Sequence, residues 1–278
     1  MVKINKRKPI KDNSILVVGV VRDCEKYLVD DLNSIRNSLV NFKNIEFLII
    51  ESDSQDGTVD LLFELSSKIE LKHYSLGSLS IEQKIRTKRI EIARNYYLDI
   101  IRGLSVYPDF VLIADLDGMN TDVSIEGIES CWNLEQDWDA CFAIQDGPYY
   151  DIWALRHPLW SPSDCWLQAN YLKQLGMNKS AADYIAVHSK RLNLRSYKEP
   201  IQVLSAFGGL GIYKYECLLV GQYEGISPTN FPVCEHEKFH ESLINESKNL
   251  FINPFMINGG AGYDQKRMLW PSFTPDLY

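Results

Sequence analysis

The chain has no apolar run near the roughly 18 residues that a membrane-spanning helix requires. No charged-then-apolar leader pattern opens it either, so the expectation is a cytoplasmic protein. Basic residues are the minority, 29 Lys and Arg against 37 Asp and Glu, for a net charge of -8. Nucleic acid is a poor partner for such a surface, because phosphate backbones are bound by clustered cations. The opening MVKINKRKPIK is the exception, with Lys3, Lys6, Arg7, Lys8 and Lys11 and no acid. It reads as a solvated tail or as a weak tether holding the protein peripherally on an anionic membrane surface. The six cysteines, at 24, 131, 141, 165, 217 and 234, include no C-x-x-C pair and no clustered framework. Reduced thiols are expected. With no low-complexity linker and no internal repeat, one continuous domain over residues 1–278 is expected.

What the chain does have is an alternation of apolar strands and amphipathic helices. SILVVGVV (14–21) reads as a buried strand and Glu25 to about Val40 as a helix. IEFLIIE (45–51) is a second strand running into the turn SDSQDG, followed by a helix after Thr58 and a short strand within IELKHYSL. Ser80 and Gln83 have capping-box spacing for a long helix through Ile101. DFVLIADLD is the fourth strand. Repeated βα units predict an α/β fold with a mainly parallel, Rossmann-like sheet flanked by helices. Ligands bind beyond the carboxyl ends of such strands, and the acidic turns around Asp53 and Asp115 both fall there. One crevice is expected to hold both. The second half offers the short strand candidates ACFAI (140–144), IQVLSAF (201–207) and NLFINP (249–254). It reads as a variable half (about 119–278) beside a nucleotide-type half (about 14–118).

The stretch FVLIADLDGMN places Asp115 and Asp117 one residue apart at a strand end. Like charges that close repel, so a cation between them is one reading: Mg²⁺ and Mn²⁺ take oxygen ligands and can share them with a pyrophosphate. An Asx turn closing the strand with Gly118 is the other. In ESDSQDGT (51–58), Ser52, Asp53 and Ser54 can hydrogen-bond a base or ribose, or simply make a strand-to-helix turn. HEKFH (236–240) matches the zinc motif H-E-x-x-H, although no third ligand is evident. Glu235 and His236 equally suit a helix start. FGGLGIYK (207–214) either lets a sugar approach the backbone at Gly208, Gly209 and Gly211 or is a bulged strand. Tyr149, Tyr150, Trp153, Trp160 and Trp166 are stacking faces or core, with Asp146 and Asp151 among them.

Taken together, VVGVVRDCEKYL, ESDSQDGT, RIEIARNYYL and DFVLIADLDG resemble the nucleotide-sugar-dependent glycosyltransferases of the GT-A fold. The distal FGGLGIYK and CEHEKFH are similar to those of bacterial polysaccharide glycosyltransferases and fungal capsule-associated mannosyltransferases. The resemblance implies a single-domain, metal-dependent transferase of the hexosyltransferase type acting in capsule or lipopolysaccharide biosynthesis. It implies a UDP- or GDP-sugar donor and a glycan or lipid-linked sugar acceptor. Nucleotide contacts would come from Val20, Arg22, Glu51, Ser52, Asp53, Arg89, Arg94 and Asp115. Mn²⁺ or Mg²⁺ would be held by Asp115, Asp117 and His236. Glu235 or Asp146 would be the base, and Tyr149, Tyr150, Asp151, Trp153, Gly208 and Gly209 would meet the acceptor. One departure is Glu51-Ser52, where many family-two enzymes carry adjacent aspartates.

Three rivals remain at this level. A sugar-nucleotide nucleotidyltransferase should show a Gly-rich basic loop after the first strand, which VVGVVRDCE is not. A non-catalytic glycan-binding protein would have no need of paired aspartates. A zinc hydrolase would need both histidines of HEKFH as ligands.

Overall fold

The computed structural model describes residues 7–259. The chain runs β1 (Ser14–Val21), α1 (Leu28–Ser38), β2 (Asn44–Glu51), α2 (Thr58–Ser66), β3 (Leu71–Ser75), α3 (Arg86–Arg102), β4 (Phe110–Asp115) and α4 (Ile125–Ser130). It continues β5 (Ala140–Gln145), α5 (Cys165–Gln174), α6 (Lys179–Ala186), β6 (Ile201–Val203), β7 (Leu210–Lys214), α7 (Glu235–Asn245) and β8 (Leu250–Gly259). The strands form one sheet in the order β3-β2-β1-β4-β7-β5-β8-β6. The pairs β1–β2, β1–β4, β2–β3 and β5–β8 are parallel, as expected of βα winding. β7 lies antiparallel between β4 and β5 and so makes the sheet continuous across the two halves of the chain.

The strands are apolar on both sides because helices cover both faces. Leu16, Val18, Leu48, Ile50, Val111 and Ile113 pack on Ala93, Tyr97 and Ile101 of α3 and, further along, Phe239 and Leu243 of α7. Their neighbours in sequence, Ile15, Val17, Phe47, Ile49 and Leu112, pack on Leu28, Leu32 and Ile35 of α1, Leu62 of α2 and Ile128 of α4. The alternation is the period-two geometry of a strand.

Several expectations change. The helix α3 begins at Arg86, not at Ser80, because the Ser80 N–H donates to Asp53 Oδ1 (2.8 Å) and ties that segment to the β2 turn. The strand expected over 201–207 is only Ile201–Val203, and the one over 249–254 extends to Gly259. In FGGLGIYK, Leu210–Lys214 is strand β7, entered through left-handed Gly208 and Gly209 (φ 68° and 83°). A Cβ on Gly208 would lie 2.6 Å from the Ala143 carbonyl. All six cysteines are buried and unpaired.

Part of the basic opening segment belongs to the fold. Arg7 donates to the carbonyls of Leu134 and Gln136 and sits over the Trp138 ring, while Lys8 pairs with Asp109 at 3.4 Å. The expected tether at Lys3 and Lys6 lies outside the described residues. Among the described residues no helix is long and apolar enough to cross a membrane.

Candidate active site

The β register sets Val20 beside Asp115 and Val21 beside Glu51, so the turns after β1, β2 and β4 leave the sheet at one level. Above them lies a cleft of about 350 Å³. Its near wall includes Val20, Arg22, Ser52, Asp53, Asp115 and Asp117, and its far wall Tyr150, Asp151, Trp153, Trp166, Glu235 and His236. The crevice shared by both acidic turns is therefore present.

The loop after β4 is clamped from below by an acid that sequence reasoning passed over. Asp31 of α1 accepts the N–H groups of Gly118 (2.7 Å) and Asn120 (3.1 Å). Burial pushes its carboxyl up to about 6, against the pull of those two donors. The Asp115 N–H donates to the Gly209 carbonyl at 2.9 Å, fixing the strand end against the entry to β7. Gly209 and Gly208 are thus backbone hinges, not cleft walls. Gly208 donates its N–H to Asp151 (3.0 Å), and Cβ atoms at the two glycines would strike Ala143 and Met119.

Arg94 of α3 is 3% exposed and joins the two walls. Its Nη2 is 3.4 Å from Asp115 Oδ1, its Nε donates to Glu235 Oε1 at 2.9 Å, and its Nη1 donates to the Tyr97 hydroxyl at 3.4 Å. The guanidinium also lies over the rings of Phe207 and Tyr223. Burial opposes its charge, and Tyr97, Glu235, Tyr223 and Asp115 more than offset it. Glu235 is the first residue of α7, 7% exposed, where a helix N-terminus favours an anion. Nearby Asp151 has its carboxyl raised, chiefly by burial and further by the Glu235 charge, although the Gly208 and Ala154 N–H groups and Arg94 pull the other way.

At the second turn, Asp53 adopts a left-handed backbone (φ 64°), which Asp tolerates better than most residues. It accepts from the Ser80 N–H and pairs with Arg89 at 3.6 Å. Burial pushes its carboxyl up, but Ser80 and Arg89 outweigh this and hold it below the usual carboxylate range. Arg22 is half exposed on the same wall, 3.3 Å from Asp23. Glu51 does not line the cleft: its carboxylate accepts the Ser54 N–H (2.9 Å) and the Ser75 hydroxyl, and so shapes the turn. The Glu51 carboxylate is thus engaged within the turn and outside the cleft lining.

Other expected residues fall elsewhere. Tyr149 is fully buried core, its hydroxyl accepting the Phe207 N–H, and cannot meet an acceptor. Trp160 donates to the Lys190 carbonyl away from the cleft. Asp146 is exposed and paired with Arg195 at 2.8 Å, outside the cleft lining that holds Glu235. The H-E-x-x-H reading fails as well. Both nitrogens of His240 are taken, by the Ser205 and Tyr213 hydroxyls at 2.9 Å each, and Glu237 is bound by Arg156.

Among the described residues no three His, Cys, Asp or Glu side chains form a metal cage. His236 is therefore not brought to Asp115 and Asp117 as a ready third ligand. Its ring stacks on Phe207 at 4.0 Å, and burial, then Arg94 and His240, hold it well below its ordinary pKa. The oxygen donors Asp115 and Asp117 still fit Mg²⁺ or Mn²⁺, which bind through one or two carboxylates when substrate phosphates supply the rest. Both His236 nitrogens lack hydrogen-bond partners among the described residues, leaving a neutral donor at the cleft floor.

Arg86, Ile90, Ala93 and Arg191 also line the cleft and were not anticipated. The signal for Arg86 was there: Arg86, Arg89, Ala93 and Arg94 follow helical spacing along one face of α3.

No family model matches the chain, and no curated protein matches it in sequence. In three dimensions it is similar to TarS of S. aureus, at TM-score 0.50 and 15% identity over 92% of this chain and 38% of that one. It is also similar to the mannosyltransferase PcManGT of Pyrobaculum calidifontis in complex with GDP-Man and Mn²⁺, at TM-score 0.50 and 13% identity over 94% of this chain and 62% of that one. The chain thus spans less than two-thirds of the length of either. The likeness shows the fold: a glycosyltransferase fold of the GT-A type.

Proposed function

We propose that the protein is a glycosyltransferase that moves a sugar from a UDP- or GDP-sugar to a hydroxyl of a glycan or lipid-linked acceptor during surface polysaccharide biosynthesis. The observation that carries this reading is the Asp115–Arg94–Glu235 chain. One buried guanidinium ties a strand-end aspartate on the nucleotide side to a helix-start glutamate on the other wall of the same cleft. A reaction joining a nucleotide-borne group to a second substrate needs both in register.

In this reading Ser52, Asp53, Val20 and Arg22 take the base and ribose, with Arg89 bracing Asp53 from behind. Asp117 and Asp115 would hold the divalent ion, which when bound neutralises pyrophosphate charge and stabilises the nucleoside diphosphate as it leaves. Tyr150 and Trp153 offer the acceptor apolar faces, and half-buried Asp151 lines the same cleft. Glu235 takes the proton from the attacking hydroxyl, and Arg94 fixes the carboxylate that receives it.

Thermal unfolding with UDP, GDP and Mn²⁺ tests the donor half. At a hundredfold excess over Kd, the correct diphosphate with Mn²⁺ should raise the midpoint by about 5 °C or more. Asp117→Ala should lose the Mn²⁺-dependent part of that rise and the transfer activity. Equal stabilisation of wild type and Asp117→Ala, with full activity in EDTA, removes the metal from the reading. A wild type that responds to neither diphosphate sinks the reading itself.

A further inference from the structure

Helices α5 and α6 set small residues, with Trp166 and Leu172 of α5, against the core and turn several other large apolar residues outward. Cys165, Ala169, Ala182 and Ala186 are fully buried against the core. By contrast Leu167 is 42% exposed, Tyr171 61%, Leu175 67%, Tyr184 62% and Ile185 43%. Leu167, Tyr171 and Leu175 recur every fourth position and so share one stripe along α5 and its end. Leu159, just before α5, and Leu192, just after α6, are exposed too. Burying alanine while leaving leucine and tyrosine in water is a poor use of apolar surface for the folded chain alone, and such patches mark contact surfaces.

Charge indicates the partner. Between 165 and 198 the basic residues Lys173, Lys179, Lys190, Arg191, Arg195 and Lys198 face a single acid, Asp183, in a chain whose net charge is -8. Arg195 is engaged by Asp146 and Lys190 by Gln168, whereas Lys173 and Lys179 bracket the turn joining the two helices. Leucine and tyrosine on one surface with lysines at its border suit the interface of a bilayer. The apolar bodies enter the acyl boundary, the tyrosine hydroxyls stay at headgroup level, and the lysines reach anionic headgroups.

We infer that the α5–α6 hairpin seats the protein on an anionic lipid surface. Trp166 of α5, and Val187 and Arg191 just beyond α6, line the cleft, so this docking brings the cleft wall to the headgroups. Docking does not depend on the proposed chemistry; only the delivery of a lipid-linked acceptor to the cleft does.

Co-sedimentation of the full chain with vesicles decides it. The protein should bind phosphatidylcholine vesicles containing roughly one-third phosphatidylglycerol, ignore phosphatidylcholine alone, and release as salt rises. The triple variant Leu167→Ser/Tyr171→Ser/Leu175→Ser should partition at least about tenfold less, with an unchanged unfolding midpoint because the residues are exposed. Should that variant fold poorly, Lys173→Glu/Lys179→Glu should weaken binding to the anionic vesicles in the same sense. Lys3→Glu/Lys6→Glu should leave it nearly intact. Absent binding, binding retained by both hairpin variants, or loss confined to the Lys3/Lys6 variant each overturns the inference. So does a solution dimer that the triple variant dissociates, which would assign the face to a second copy. Vesicle binding without sugar transfer would fail the proposed function alone.

Discussion

Glu235 and Arg94 are hard to test by deletion, because each neutralises the other where water is nearly absent. Removing the guanidinium would leave two acids near one another in the cleft, and breaking a buried pair from one side typically costs about 3–5 kcal/mol. Lysine is no rescue, since a point charge cannot serve Asp115 and Glu235 in the fork geometry of arginine. Glu235→Gln is the cleaner change. It keeps an oxygen to accept from Arg94 Nε and removes only the ability to take a proton. Turnover should fall about 10²–10⁴-fold, while nucleotide-induced stabilisation stays near wild type. If Glu235 merely favours the start of α7, the variant should lose about 0.3–1 kcal/mol of stability and keep its activity. That second outcome would move attention to Asp151, which lines the cleft half-buried and with a raised carboxyl pKa, ahead of Asp146, which is outside the cleft lining.

At the scale of elements, the entry to β7 is where backbone geometry and site meet. Gly208→Ala forces a left-handed residue to carry a Cβ, costing about 1–2 kcal/mol, and drives that carbon into the Ala143 carbonyl. Gly103→Ala, at φ -88° with no atom closer than 3.4 Å, should change stability by no more than about 0.5 kcal/mol. Urea unfolding of the two variants separates them, and similar losses would mean that the bend tolerates a side chain. This element also shows what the sequence could and could not convey. β1, β2 and β4 were readable because burial on both faces makes unbroken apolar runs that end at acidic turns. β7 was readable only as one of two alternatives, since glycines that serve a bend look the same as glycines that admit a ligand. The capping box at Ser80 was a fair local pattern, but a contact with Asp53, 27 residues away, claimed the N–H first. Arg94 and Glu235 were each singled out, yet their pairing across 141 residues has no local signature. Tyr149 and His240 bear the residue types of a site but lie in the core, and residue type alone does not report depth.

For the whole molecule, the buried histidines, His236 in the cleft wall and His240 behind it, set how it meets acid. His236 and His240 stack 5.5 Å apart on α7 beneath the sheet. Burial, and then the Arg94 charge, lower the His240 pKa from 6.5 to about 3. The unfolded chain takes up this proton near pH 6.5 and the folded chain only near 3, so the associated stability is present above 6.5 and is lost as pH falls through that interval. A one-proton difference between the two states is worth about 1.4 kcal/mol per pH unit. Asp31 works in the opposite sense: raised to about 6, it contributes stability below its unfolded value of 3.8 and loses it as pH rises through 6. Asp151 acts in the same direction as Asp31. The absolute slope of stability against pH is thus a balance, but the slope change on removing one histidine is not. His240→Gln retains a polar group for the Ser205 and Tyr213 hydroxyls and cannot titrate. Urea midpoints measured from pH 6 to pH 4 should show the wild type losing about 1.4 kcal/mol per pH unit more than the variant, whatever constant offset the substitution adds. Parallel curves would show that His240 is already protonated in the native state. Its two hydroxyl partners would then both be acceptors, and the neutral, buried layer between α7 and the sheet would carry a charge that Arg94, nearby, should have expelled.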